Sequence, residues 1–138
     1  AGKIDFDDLQ SKKKYNSTTA YANAKLMVVM FTYELARRLE GTFVTVNVVH
    51  PGFVATNLGR NTGSIRSSIM FTLMRPFQIS SKKGAETSVY LASSSEVEGL
   101  TGRYFKRKQE STSSPASYDK QMQKRLWDAT IELLGLSP

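Results

Sequence analysis

Apolar side chains recur at helical spacing from residue 20 to residue 39. They are separated by three or four positions and comprise Ala20, Ala24, Met27, Phe31, Leu35 and Leu39. This spacing lines one face of an α-helix with apolar groups. Ser17, Thr18 and Thr19 precede it as candidate N-caps, and Gly41 follows as a candidate C-cap. The pattern therefore predicts one long helix over about residues 18 to 40.

A nearly continuous apolar stretch follows this helix. Residues 43–49 read Phe-Val-Thr-Val-Asn-Val-Val, and Pro51-Gly52 interrupts the run shortly afterwards. β-Branched runs of this kind are typical of a strand that is covered on both faces. A buried strand that follows a helix indicates an α/β sheet.

The apolar pattern then weakens and returns in shorter stretches. Residues 64–77 are amphipathic and predict short helices within a long excursion. A second helix is predicted to begin at Ser80 or Ser81, either of which can serve as its N-cap, and to end near residue 92. Residues 1–17, before the first helix, are predicted to form a connecting loop.

The last third of the chain predicts one strand and one helix. A glycine-containing turn at 99–102 leads into a short strand over residues 103–105. After a loop rich in Lys, Ser and Pro, a final helix starts at Ser117 or Asp119 and closes near Gly135.

Composition narrows the class of protein. The chain has 138 residues, of which 40% are hydrophobic and 22% charged, as in a single folded domain. Its longest apolar run, residues 26–31, is far shorter than the roughly 20 residues that cross a bilayer. No cysteine and one histidine leave no disulfide framework and no metal site. The missing cysteine fits a reducing compartment, so a cytoplasmic location is expected.

The charge is positive and unevenly distributed. Lys and Arg number 19 against 12 Asp and Glu, a formal net charge of +7. Nine of the basic residues and only three of the acidic ones lie between residues 60 and 108. No nucleic-acid-binding motif accompanies this excess, so no nucleic-acid partner is expected. A solvated face is the simplest interpretation, and contact with a membrane surface or a partner protein stays open.

Tyr21 and Lys25 form the one pair in the predicted helix with evident chemical use. They are four positions apart, so their side chains leave the same helix face one turn apart. A free phenol has a pKa of about 10, and a nearby ammonium favours its ionised form. Such a phenol can exchange a proton with a substrate hydroxyl or carbonyl. Alternatively, the tyrosine ring packs on the helix and the lysine is simply solvated.

Five segments of the sequence carry a combined pattern. They are Tyr21-Ala22-Asn23-Ala24-Lys25, Glu34-Leu35-Ala36-Arg37-Arg38-Leu39, Val44-Thr45-Val46-Asn47-Val48-Val49, His50-Pro51-Gly52-Phe53-Val54-Ala55-Thr56 and Gly99-Leu100-Thr101-Gly102-Arg103-Tyr104-Phe105. Together they resemble the C-terminal half of a short-chain dehydrogenase/reductase, most closely the retinol dehydrogenase-like branch, and the similarity covers roughly residues 4–105. The resemblance implies the C-terminal half of a Rossmann-like, doubly wound parallel sheet with flanking helices.

The resemblance also implies roles for individual residues. Tyr21 would be the general acid/base at the substrate oxygen, and Lys25 would assist it and bind the nicotinamide ribose. Pro51 and Gly52 would form the floor beneath the nicotinamide. The cofactor-binding set is completed by Val54, through its backbone, and by Thr56, through its hydroxyl. His50 receives no role.

Other parts of the family pattern are not found in this sequence. It contains no Gly-rich turn for a pyrophosphate, no Asn-Ala-Gly segment and no convincing active-site serine. Residues 1–138 are therefore expected to form the C-terminal, substrate-side part of a single Rossmann-like domain whose N-terminal dinucleotide-binding half is absent. An exposed edge on the apolar strand at 43–49 would be unfavourable, so a missing half or another chain is expected to complete the sheet.

The preferred interpretation is an oxidoreductase that interconverts an alcohol and a carbonyl with NADP or NAD. Ile, Met and Phe side chains at 64–77 indicate a small apolar substrate. On its own, the 138-residue chain is expected to be inactive. The alternative is a catalytically silent α/β module that binds a membrane surface or a partner protein through its basic excursion.

Overall fold

A computed structural model describes residues 3–54 and 78–136. The helices are α1 (Ser17–Arg38), α2 (Ser81–Ser93) and α3 (Lys120–Leu134). The strands are β1 (Val48–His50), β2 (Tyr104–Lys106) and β3 (Gln109–Ser111). Two short 3₁₀ helices span Ser95–Val97 and Pro115–Tyr118. The predicted excursion at 64–77 lies outside the described residues, as does Thr56.

The long helix α1 confirms the apolar periodicity. Its N-cap is Asn16, whose side-chain oxygen accepts a hydrogen bond from the backbone N–H of Thr19 at 3.0 Å. The cap therefore lies one residue before the predicted candidates. The helix ends at Arg38 rather than at residue 40, and Gly41 adopts a left-handed φ of 82° in the turn beyond it. Glycine is favoured at such a position because it has no Cβ.

The first half of α1 packs against the preceding loop and against α3, and together they form a hydrophobic core. Its buried members are Ile4, Leu26, Met30 and Leu126, with Phe6, Leu9, Met27 and Met122 packed around them. Further along the same two helices, the rings of Phe31 and Trp127 stack with centroids 4.8 Å apart. The apolar face of α1 is thus covered by residues distant in sequence, as its pattern requires.

The three strands form one sheet in the order β1-β2-β3. The β1 and β2 segments run parallel, since Gly102 donates to the Val46 carbonyl and Val48 donates to the Arg103 carbonyl. Flanking helices and a parallel strand pair confirm the predicted α/β class.

The prediction of a strand buried on both faces over residues 43–49 is wrong. Only residues 48–50 are a strand, Phe43 is fully exposed and Val44 is 58% exposed. Side-chain hydrogen bonds replace part of the β-ladder here. The backbone N–H of Val46 donates to the hydroxyl oxygen of Thr101, and the side chain of Asn47 bonds the backbone of two residues in the neighbouring loop. Within the part of the chain that the structure describes, β1 pairs with β2 as the only neighbouring strand.

The second strand and the loop after it also differ from the sequence-based expectation. The strand is shifted by one residue, to Tyr104–Lys106. The predicted loop contains β3, which follows β2 after a two-residue turn formed by Arg107 and Lys108. Both turn residues have positive φ, 54° and 61°, the conformation that two-residue hairpins require.

The remaining helices confirm their predicted caps. The Ser80 hydroxyl accepts a hydrogen bond from the N–H of Lys83 at the start of α2. The Asp119 carboxylate accepts from two backbone N–H groups at the start of α3. Gly135 ends α3 in the left-handed conformation. None of the helices within the described ranges is long and apolar enough to cross a membrane.

The chain divides into two compact units. The first draws its described residues from Ala1–Val48, Gly99–Tyr104 and Glu110–Pro138, and the second from Val49–Glu98 and Phe105–Gln109. The first unit contains α1, α3 and the Pro115–Tyr118 turn. The second contains α2 and the loop that follows β1.

Candidate functional site

Tyr21 and Lys25 lie in the first turns of α1, on one exposed face. The Lys25 ammonium nitrogen is 5.5 Å from the centre of the Tyr21 ring, within the range of a cation–π contact. Tyr21 is 57% exposed, so its hydroxyl is accessible to a bound molecule. The pair can therefore present a phenol and an ammonium to the same ligand.

The segment before α1 holds the opposite side of this helix. The backbone N–H of Lys3 donates to the Asn23 side-chain oxygen at 2.9 Å. Ile4 is buried against Leu26, one residue beyond Lys25. These contacts fix the start of α1 from behind and leave the Tyr21 face open. Sequence reasoning gave Asn23 no role, because its partner is a backbone group in a loop.

The Asp8 carboxylate orders the loop that leads into α1. It accepts hydrogen bonds from the backbone N–H groups of Lys12, Lys13 and Lys14 at 2.7, 3.0 and 3.3 Å. Burial raises the pKa of Asp8, but these three donors outweigh it and the pKa is lowered overall. One carboxylate therefore holds the backbone of three consecutive lysines.

In the second unit, the loop after β1 carries Pro51, Gly52 and Val54. Pro51 is exposed, and Gly52 has a φ of 84°, which favours glycine. A Cβ on Gly52 would also lie 3.3 Å from the Cδ1 atom of Ile79. Val54 forms a parallel bridge with Ile79, and the Phe53 carbonyl accepts from the Ile79 N–H at 2.9 Å. Ile79 thus holds the loop in place.

The packing of Val54 extends to helix α2. Gly84 lies so close to it that a Cβ there would be 2.6 Å from the Val54 Cγ2 atom. A glycine in a helix interior is unfavourable by about 1 kcal/mol relative to alanine. The close approach of Val54 explains why position 84 is a glycine. Within residues 3–54 and 78–136, no group of three or more metal-ligating side chains lies together.

The first unit contains a separate cleft of about 350 Å³ that the sequence did not reveal. It lies at the C-terminal end of α1, between the loop at 101–103 and the start of α3. Its lining includes Arg37, Arg103, Tyr118, Lys120 and Gln123. These residues come from three distant stretches of sequence, so no local motif links them.

A hydroxyl network lies beside this cleft. The Tyr33 hydroxyl is 2.7 Å from the Ser113 hydroxyl, which is 2.6 Å from that of Ser117. The rings of Tyr33 and Tyr118 stack at 5.5 Å. Burial raises the pKa of Tyr33 to about 12. Hydrogen bonding from Ser113 lowers the pKa of Tyr118, which is more exposed.

Comparison with known proteins shows what this chain is similar to. The family model described as short chain dehydrogenase matches residues 9–66. Retinol dehydrogenase 14 of Homo sapiens is 47% identical over 137 residues, which are 98% of this chain and 41% of that protein. Retinol dehydrogenase 13 of Mus musculus is 42% identical over 142 residues, and retinol dehydrogenase 12 of Homo sapiens is 41% identical over 135. These alignments cover 99% and 98% of this chain and 42% of each relative.

A solved structure agrees with the fold. The crystal structure of an uncharacterised protein from Mycobacterium Paratuberculosis superposes with a TM-score of 0.70 at 25% identity, covering 99% of this chain and 46% of that one. The chain thus spans about two fifths of the length of the curated relatives it matches. The resemblance to the short-chain dehydrogenases, in their retinol dehydrogenase-like branch, is confirmed.

Proposed function

This chain is a relative of the short-chain dehydrogenases, and we propose that it supplies the substrate-side, C-terminal part of an enzyme that interconverts an alcohol and a carbonyl with NAD or NADP. The observation that carries the proposal is the exposed Tyr21–Lys25 pair on α1. In this proposal, residues 1–138 belong to one Rossmann-like domain, and the dinucleotide-binding half precedes them.

The proposed proton transfer uses the Tyr21 hydroxyl. In the reducing direction it donates its proton to the carbonyl oxygen of the substrate, and in the oxidising direction the phenolate accepts the proton of the alcohol. The nicotinamide cofactor supplies or accepts the hydride at carbon. The Lys25 ammonium, one turn away, can donate hydrogen bonds to ribose hydroxyls.

In this proposal, two separate groups of residues, one on α1 and one in the loop after β1, contact the nicotinamide end of such a cofactor. The exposed phenol and ammonium match a carbonyl oxygen and ribose hydroxyls. At the loop after β1, Gly52 offers a backbone without a side chain, and Pro51 is exposed beside it. We assign Pro51, Gly52 and the Val54 backbone to contact with the nicotinamide ring and its carboxamide. The Thr56 hydroxyl is proposed as a further contact from the sequence alone. No Gly-rich turn in the sequence could hold the pyrophosphate.

The proposed substrate is a small apolar alcohol or the corresponding carbonyl compound. Two observations support this class. The relatives named above are called retinol dehydrogenases. The sequence at 64–77 is rich in Ile, Met and Phe. This proposal is compatible with a cytoplasmic location, with membrane association and with assembly of several copies.

A second candidate function is a silent module that binds a membrane surface or partner protein. The hairpin between β2 and β3 favours it, because Lys106, Arg107 and Lys108 are consecutive and exposed. Arg107 and Lys108 occupy left-handed positions where Gly or Asn is usual.

Deuterium transfer separates the two functions. The intact protein would be incubated with a carbonyl substrate and a reduced cofactor that carries deuterium at C4 of the nicotinamide. An oxidoreductase moves the label to the carbinol carbon of the product, which mass spectrometry detects. If no labelled product forms with NADH or with NADPH, from either aliphatic or polyene aldehydes, the proposed function is contradicted.

A further inference from the structure

In the second unit, the turn between β2 and β3 is held against helix α2. The backbone N–H of Lys108 donates to the Thr87 hydroxyl at 3.2 Å, and the Lys108 ammonium lies 3.6 Å from the Glu86 carboxylate. Thr87 is only 4% exposed, so its hydroxyl is a buried acceptor that the turn satisfies. These two contacts fix the position of the turn on the helix.

Two lysines of α2 lie one helical turn from this contact. Lys82 is four positions before Glu86, and Lys83 is four positions before Thr87. Residues four apart share a helix face, so both lysines lie beside the residues that contact the turn. The turn adds three consecutive basic residues. We define the basic surface as the five exposed cations Lys82, Lys83, Lys106, Arg107 and Lys108.

Acidic side chains neutralise little of this charge. Glu86 is the only acidic residue at 81–88 or 106–109, so five cations face one carboxylate. Its pair with Lys108 joins two half-exposed side chains, and such pairs are weak. The other four cations have no ion pair within the part of the chain that the structure describes. Glu110, which follows the turn, is paired with Arg103.

The basic surface offers charge without an apolar anchor. Residues 81–88 and 106–109 contain no aromatic side chain, and their only apolar residues are Gly84 and Ala85. Centres of protein interfaces are rich in aromatic residues and poor in lysine, and single-stranded nucleic acid stacks on aromatic rings. Anionic lipid headgroups require only positive charge, and clusters of roughly four to eight Lys or Arg are typical of surfaces that bind them.

We propose that this basic surface docks the second unit on a membrane of anionic phospholipid. The ammonium and guanidinium groups contact headgroup phosphates and carboxylates. With no large apolar side chain to enter the hydrocarbon, the attachment is electrostatic and reversible. Docking requires neither cofactor nor hydride transfer, so it can fail without affecting the proposed oxidoreductase function.

Flotation of the intact protein with lipid vesicles tests the docking. Vesicles of phosphatidylcholine with roughly 30% phosphatidylserine are compared with pure phosphatidylcholine, which reports any attachment that does not depend on charge. The anionic vesicles should be bound at least about tenfold more tightly at about 0.1 M salt. The preference should disappear at about 1 M salt, where the Debye length is about 3 Å. Equal affinity for both vesicles at low salt, or a preference that salt does not change, would overturn the proposal.

Charge-matched variants locate the binding on the hairpin. Lys106→Gln with Arg107→Gln removes two exposed cations and should weaken binding to anionic vesicles at least about tenfold, since each cation near such a surface contributes about fivefold. Lys12→Gln with Lys13→Gln makes the same change in net charge in the first unit and should leave the affinity within about twofold. Equal losses in the two double variants would show that only net charge matters and would contradict a defined surface.

Variants of α2 test whether helix and hairpin act together. Lys82→Gln with Lys83→Gln removes two cations near the N-terminus of α2, where positive charge is unfavourable for the helix, so the fold should be retained. The loss of vesicle binding should match that of the hairpin variant, and an unchanged affinity would contradict a shared surface. Polyglutamate and a DNA duplex are the alternative polyanions. Tighter binding of either one than of anionic vesicles, at equal charge concentration, would assign the surface to another partner and overturn the proposal.

Discussion

Gly84 in α2 packs against Val54 so closely that a Cβ at Gly84 would lie 2.6 Å from the Val54 Cγ2 atom and 3.1 Å from Cγ1. Valine is stiff about its first side-chain torsion, so it cannot easily rotate away. The helix therefore fixes the position of a residue that we assign to the nicotinamide carboxamide. A small change in α2 can be transmitted to the proposed cofactor site through this single contact.

We expect Gly84→Ala to weaken both folding and cofactor binding. The gain in helix propensity is about 1 kcal/mol, whereas overpacking costs about 1–3 kcal/mol, so the net effect is a loss of up to about 2 kcal/mol. Chemical denaturation measures the stability, and the KM for the nucleotide reports the displacement of Val54. Ser88→Ala, at an exposed position of the same helix, is the control. A more stable Gly84→Ala protein with unchanged KM would show that the contact is looser than described.

Tyr33 makes the stability of the first unit depend on pH in the alkaline range. Burial raises its pKa from about 10 to about 12, so the folded protein retains the phenol proton where the unfolded chain has lost it. The stabilisation is fully present below pH 10 and is lost as the pH rises towards 12. The free energy of unfolding should therefore fall across this interval.

Tyr33→Phe should flatten that decline and lower the stability at neutral pH. Loss of the hydrogen bond to Ser113 costs about 1 kcal/mol, because Ser113 retains Ser117 as a partner. Urea denaturation at pH 8, 10 and 11 measures both effects. Tyr15→Phe, at a tyrosine that is 73% exposed, is the matched control. An equally steep decline in the Tyr33→Phe protein would assign the alkaline transition to other groups.

The 138-residue chain produced alone should neither bind dinucleotide measurably nor unfold cooperatively as a monomer. It lacks a Gly-rich turn for the pyrophosphate, so only nicotinamide contacts remain, and the expected dissociation constant is millimolar or weaker. Phe43 and Val44, which precede β1, leave apolar surface exposed, and such surface disfavours a stable monomer. Calorimetry with NAD and NADP, together with a thermal melt, checks both statements. Micromolar binding by a cooperative monomer would mean that the chain is a complete domain.

The helices could be predicted because their signals are local. Asp119 and Gly135 bracket α3, and Ser80 caps α2, each within one turn of the helix end. The Tyr21–Lys25 pair was also predictable, since a spacing of four residues fixes its geometry as soon as the helix forms. Their proximity is a property of one element and needs no tertiary information.

The strands depended on partners that local sequence does not specify. Residues 43–47 have strand composition, but a hydrogen bond accepted by the Thr101 hydroxyl and one donated by the Asn47 side chain replace part of the β-ladder there. The β2–β3 hairpin was missed because its turn, Arg107-Lys108, lacks the Gly or Asn typical of two-residue turns. The cleft at the end of α1 was missed for a similar reason, since residues from three separate segments form it.

Tyr21→Phe in the intact protein tests the central claim most directly. It removes only the hydroxyl that we assign to proton transfer and leaves the ring beneath Lys25. The rate of hydride transfer in a single turnover should fall by about 10²-fold or more, with cofactor affinity changed much less. Tyr90→Phe, which removes a hydroxyl that bonds Glu96 in the second unit, should retain the full rate. A Tyr21→Phe enzyme as fast as the Tyr90→Phe control would contradict the account.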